Sequence, residues 1–146
     1  MIDLKKFIQA VDLVKTRGCY SLGLIIKPKT GKINWDDFLT YPYQIIDIEQ
    51  SEEKQKTFLN KMLKAVKEKN WLVLELKDNL PGLVYSQLKL LSLNNRMQVL
   101  QDNEISVERL ADRSRVIVVA YKENIKDIEQ RYPDFRNLFG PIINIK

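Results

Sequence analysis

The run Trp71-Leu-Val-Leu-Glu-Leu76 limits the possible folds more than any other feature of the chain. Its unbroken apolar stretch leaves a strand no solvent-facing side, so both faces need cover, as in a parallel sheet with helices on each side. Arg115-Val-Ile-Val-Val-Ala120 is a second run of the same kind. Tyr20-Ser-Leu-Gly-Leu-Ile-Ile26, Tyr43-Gln-Ile-Ile-Asp-Ile48 and Pro141 to Ile145 read as further strands.

Helical patterns fall between these runs. Leu4, Phe7, Ile8, Val11 and Val14 recur at helical spacing, with Asp3 able to cap the start and Gly18 the end. Ser51 caps a second helix whose apolar stripe is Phe58, Leu59, Met62, Leu63 and Val66. Glu52 and Glu53 suit its positive end, and Lys64, Lys67 and Lys69 its negative end. Asn79-Leu-Pro81 opens a third, with Leu80, Val84, Leu88 and Leu91 inward, and Ile125 to Tyr132 forms a short fourth. Lys29-Thr-Gly-Lys32 is a turn, and Asn34 to Leu39 forms a helical turn or two. Met97–Leu100 and Glu104–Val107 pair as a hairpin around Gln101-Asp-Asn103. The alternation predicts one domain over 1–146, a three-layer α/β/α sandwich on a mainly parallel five-stranded sheet.

Composition removes several function classes. The 146 residues contain no histidine, which excludes Ser-His-Asp and Cys-His catalysis, histidine metal sites and imidazole switching. Cys19 is the single cysteine and reads as a buried spectator. No run approaches the roughly 18 apolar residues of a membrane span, and Met1-Ile-Asp-Leu-Lys-Lys lacks a signal-peptide core, so a soluble cytoplasmic protein is expected. The net charge of +5 is a mild bias toward acidic partners. The lysines of 54–69 alternate with apolar positions, as on a solvated helix face, so nucleic acid is not the favoured partner.

The order of the runs, with Leu80-Pro-Gly-Leu-Val-Tyr-Ser-Gln-Leu-Lys-Leu-Leu91 and Asn95-Arg-Met-Gln-Val-Leu100 after Leu76, resembles the AAA+ P-loop NTPases, especially the midasin, dynein and MoxR-like branch. The resemblance implies the P-loop strand order, in which the first strand lies between the fourth and fifth and the fourth lies beside the third. It also implies ATP or GTP with Mg²⁺ as ligand. The residues that would hold them are largely replaced. Glu75 takes the metal-side acid's place, but Leu76 stands where the water-activating acid would be. In Ile26-Lys-Pro-Lys-Thr-Gly-Lys-Ile33, Gly31 and Lys32 match a phosphate loop, whereas Ile26 replaces its first glycine and Ile33 its hydroxyl residue. Asn124 serves either as the sensor residue or as a helix cap. Leu138 stands at the interface-arginine position, with Arg136 two residues earlier, and no helical lid follows the fifth strand.

These replacements predict no catalytic residue, no metal ligand and no resident cofactor. The expected role is a non-hydrolysing protein-interaction or assembly module. The alternatives are a divergent NTP-binding or NTPase domain using Gly31, Lys32, Glu75 and Asn124, and a small basic nucleic-acid binder. The expected contact surface for a protein partner or a second copy is 131–140, with Arg131, Tyr132, Phe135, Arg136 and Phe139. The loop 35–43, with Trp35, Phe38, Tyr41 and Tyr43, is either a docking surface or cover for the sheet edge. Lys27, Lys29 and Lys32 beside it are either solvated or anion-binding.

Overall fold

A computed structural model describes residues 3–13, 22–48, 60, 61, 64, 68, 70–94, 96–101, 104–109 and 115–146, with backbone alone at 93, 94, 96–101 and 104–109. In chain order its elements begin with α1 (Leu4–Leu13), β1 (Leu22–Lys27), a 3-10 turn at Trp35–Asp37, β2 (Tyr43–Ile48) and β3 (Trp71–Leu76). They continue with α2 (Gly82–Asn94), β4 (Arg96–Gln101), β5 (Glu104–Arg109), β6 (Val116–Tyr121), α3 (Lys122–Arg131), a 3-10 turn at Phe135–Leu138 and β7 (Ile142–Asn144).

Five strands form one sheet in the order β2-β3-β6-β1-β7, and every neighbouring pair is parallel. This is the P-loop order, with β1 between β6 and β7 and β6 beside β3. β4 and β5 pair separately as an antiparallel hairpin. Among the described residues no helix follows β7, and no helix is long and apolar enough to cross a membrane.

The pleat divides the apolar residues between two cores, because successive side chains point to opposite faces. One face carries Leu22, Leu24, Ile26, Leu72, Leu74, Leu76, Val116 and Val118, packed with Leu80, Val84, Leu88 and Leu91 around α2 and with Ile125, Ile128 and Phe135. The other carries Ile25, Val73, Ile117 and Val119, covered by Leu4, Phe7, Ile8 and Val11 of α1 and by Trp35 and Leu39. β1 and β6 are buried along their whole length, which is why their sequences show no polar alternation. Each fully buried side chain of this kind contributes roughly 1.5–3 kcal/mol relative to exposure.

Asp3 caps α1 by accepting the Lys6 backbone N–H at Oδ1, 3.1 Å away. The buried Arg115 closes the other end, donating from Nε to the Val11 carbonyl at 3.2 Å and from Nη2 to that of Asp12 at 3.1 Å. α1 then lies directly on β1 at Gly23. A Cβ there would sit 2.6 Å from Val11 Cγ2 and 2.8 Å from Phe7 Cζ.

Two boundaries depart from expectation. α3 begins at Lys122 rather than Ile125, since Tyr121 passes straight from strand to helix with no side-chain cap. β7 is confined to Ile142–Asn144. Of the helix predicted from Ser51, residues 60, 61, 64 and 68 are helical and exposed. Its cap and apolar stripe, the hairpin's Asp102 and Asn103, and Cys19 lie outside the described residues.

Candidate functional site

The carboxyl ends of β2, β3, β6 and β1 open onto a cleft of about 360 Å³ on the α1 face of the sheet. In parallel α/β sheets this edge, near the point where strand order reverses, is where ligands bind. Two cross-strand rows build its floor. Asp47 lies opposite Glu75, and Glu75 opposite Val119; one step further on, Lys27 lies opposite Tyr121. The loop 29–35 supplies the facing wall through Lys29, Gly31, Lys32, Ile33 and Trp35, and Ile45 closes the β2 side.

Lys77 emerges two residues after Glu75 and turns back onto the floor. Its ammonium donates to Glu75 Oε2 at 2.8 Å and to Tyr121 Oη at 3.4 Å, and lies 3.5 Å from Asp47 Oδ1. Tyr121 Oη in turn lies 3.3 Å from the same Glu75 oxygen. The hydrogen bond to Glu75 raises the Lys77 pKa well above the ordinary lysine value, against the opposing effect of burial. Burial raises that of the Tyr121 phenol, and the Glu75 charge adds to it. At neutral pH neither group is a base or a nucleophile. The Glu75 carboxylate is already engaged by both.

The loop after β1 is organised around a cation. Lys27 is only 7% exposed and curls into the loop, donating to the Pro28 carbonyl at 2.7 Å and the Gly31 carbonyl at 2.8 Å. Its ammonium also sits 5.3 Å from the Tyr121 ring centre. Gly31 permits this path with a φ of +86°, which other residues adopt at a cost. A phosphate loop does the reverse, turning backbone N–H groups inward to meet an anion. Here two carbonyls face inward, and Pro28 has no N–H to offer.

Gly31, Lys32 and Glu75 therefore share one cleft. Asn124 does not line it; in the first turn of α3 its amide donates to the Lys77 carbonyl at 3.3 Å, tying β3's end to the helix. The cap reading of Asn124 is thus corrected, because the helix starts before it. Leu76 is fully buried in the opposite core. At the two positions where the P-loop resemblance would put Mg²⁺ ligands, Ile33 supplies no hydroxyl and the Glu75 carboxylate is paired with Lys77. Among the described residues, no three His, Cys, Asp or Glu side chains converge as a metal site.

The expected contact surfaces are partly core. Phe135 is fully buried, and Phe139 is 5% exposed and packs edge-to-face against it at 5.1 Å. Tyr132 stacks on Tyr85 at 4.1 Å and donates to the Leu80 carbonyl. Arg131 and Arg136 are exposed, the latter paired with Glu129 at 2.9 Å. In the other loop Trp35 is buried, whereas Tyr41 is exposed, stacks on Trp71 and donates to Asp12. Phe135 and Phe139 are therefore core residues rather than exposed anchors, and Trp35 follows the sheet-cover alternative.

Lys77, Tyr121, Asp47 and Ile45 were not singled out from the sequence. For Glu75 and Lys77 the signal was present: opposite charges two apart at a strand end share one face. Compared with known proteins, the sequence has no significant match to a family model or to a curated protein.

Proposed function

We propose that this chain is a non-hydrolysing, P-loop-like module that acts by binding a protein partner or a second copy of itself. The observation that carries the reading is Lys27 inside the loop after β1, where its ammonium occupies the carbonyls of Pro28 and Gly31. Lys77 does the same for Glu75. Both features required for nucleotide chemistry are thereby committed to internal cations, and Leu76 offers nothing to orient water. The exposed Arg131 and Arg136 support a partner face at 131–140, since arginine is enriched at interfaces. The decisive assay is Mg²⁺-dependent release of phosphate from ATP and GTP by the purified chain, for which no activity above background is expected.

A divergent NTP-binding domain using Lys32, Glu75 and Asn124 is the second reading. It draws on the fact that Lys32 and Glu75 line the same cleft. Turnover abolished by Lys32→Ala or Glu75→Gln would replace the first reading with this one.

A further inference from the structure

We propose that the cleft at the carboxyl ends of β2, β3 and β6 docks an acidic, apolar-anchored peptide segment of a protein partner. The proposal rests on the partner-binding reading above and adds to its 131–140 face a second site, with the chemistry of what fills it.

Glu75 and Asp47 face Lys77, and Glu123 accepts the Lys29 backbone N–H at 3.3 Å. Lys27 is held by loop carbonyls. The side chains of Lys29 and Lys32 are different: both are exposed on the cleft wall, and neither forms an ion pair among the described residues. Neither carbonyls nor a backbone N–H cancels a charge, so the cleft and its edge set Lys27, Lys29, Lys32 and Lys77 against Asp47, Glu75 and Glu123, a positive excess in a chain whose net charge is also positive at +5. Complementarity calls for an anionic partner.

The apolar part of the lining narrows the chemistry. Ile45 is 44% exposed although it stands on a strand, and Ile33 of the loop lines the same cleft. An apolar side chain seated between them would cover both. At about 360 Å³ the cleft lies at the small end of the roughly 300–1,000 Å³ typical of binding clefts. That size suits a side-chain anchor with flanking carboxylates at the lysine rim.

Nucleic acid fits less well. Single strands bind by stacking bases on exposed aromatic faces, and the aromatics here are closed off, Trp35 at 4% and Tyr121 at 8% exposure. A phosphate group fits less well too, because the loop turns carbonyls rather than N–H groups inward. Two separate ammonium groups on flexible stems suit carboxylates spaced along a peptide.

The test is an immobilised array of short peptides, each with an Ile, Leu or Phe flanked by Asp or Glu, beside the same array with Lys for the acids. The full chain should bind members of the acidic array and not the basic one. Binding should weaken severalfold on raising salt to about 0.5 M. Lys29→Glu with Lys32→Glu, and separately Ile45→Asp, should each weaken it by on the order of tenfold, with unchanged circular dichroism and melting temperature. Silence of the acidic array, binding indifferent to both variants, or displacement by ATP or oligo(dT) would each overturn the proposal. Silence without nucleotide turnover would leave the partner-binding reading standing, whereas turnover would remove that reading itself.

Discussion

Replacing Gly23 with alanine tests how α1 is seated on the sheet. The added Cβ would lie 2.6 Å from Val11 Cγ2 and 2.8 Å from Phe7 Cζ, where ordinary contact begins at 3.4 Å. The shortfall is about 0.8 Å at the closer atom, well beyond what soft repulsion absorbs. Relief by movement is restricted. Val11 and Phe7 are 1% and 6% exposed, and β1 is hydrogen-bonded to β6 on one side and β7 on the other. Overpacking of this kind costs about 1–3 kcal/mol. Against it, removing a glycine from a strand interior recovers about 0.5–1 kcal/mol. The net expectation is a loss of roughly 1–2 kcal/mol and a melting temperature lower by about 3–8 °C, read by circular dichroism and urea titration. Val11→Ala in the same chain removes the nearer obstacle, so the double variant should be more stable than the sum of the single effects by about 0.5 kcal/mol or more. Gly23→Ala as stable as the parent, or strict additivity with Val11→Ala, would refute the close approach of α1 to β1.

Tyr85 donates to Asp134 at 2.6 Å, and burial together with that carboxylate raises its pKa from 10.0 to about 12. Because the folded value lies above the unfolded one, the contribution is complete below pH 10 and is lost as pH rises toward 12. Alkaline denaturation should therefore show a loss of stability in that window that Tyr85→Phe lacks, and identical profiles would refute the assignment. Arg131→Glu with Arg136→Glu should reduce self-association or partner capture through 131–140, measured by sedimentation and pull-down. Loss of the exposed Arg136–Glu129 pair should cost no more than about 1 kcal/mol of stability, and unchanged association in a folded variant would dismiss this face.

The sheet was legible because burial on both faces leaves a mark that needs no partner to be read. Leu72 to Leu74 and Val116 to Val119 contain no polar residue, and each occupies an inner strand. Hydrophobic runs do not encode the order of strands, and here only the resemblance to P-loop proteins supplied it. The burial of aromatic side chains within 131–140 has a local cause. Phe135-Arg-Asn-Leu-Phe139 reads as an aromatic and basic surface segment. In a 3-10 turn, however, side chains three apart eclipse, and Phe135 and Leu138 are both turned into the core while Arg136 and Asn137 remain outside. Aromatic composition alone cannot separate an anchor for a partner from an anchor for the core.

The same pleat explains why the end of β3 carries one cleft-facing acid and not two. Consecutive strand residues point to opposite faces, so with Glu75 on the cleft floor, Leu76 must enter the core around α2. Strand pairing continues to that point, with Leu76 opposite both Ile48 and Ala120. An ionised side chain there would have to be desolvated among leucines and isoleucines without a partner. A water-activating acid would need the strand to end one residue earlier, releasing the position toward the cleft. Instead Lys77 continues past the strand end and returns its charge to Glu75. A β3 that stays in the sheet through Leu76 thus leaves Glu75 as the strand end's one cleft-facing acid and brings Lys77 out beyond it, within reach of that carboxylate.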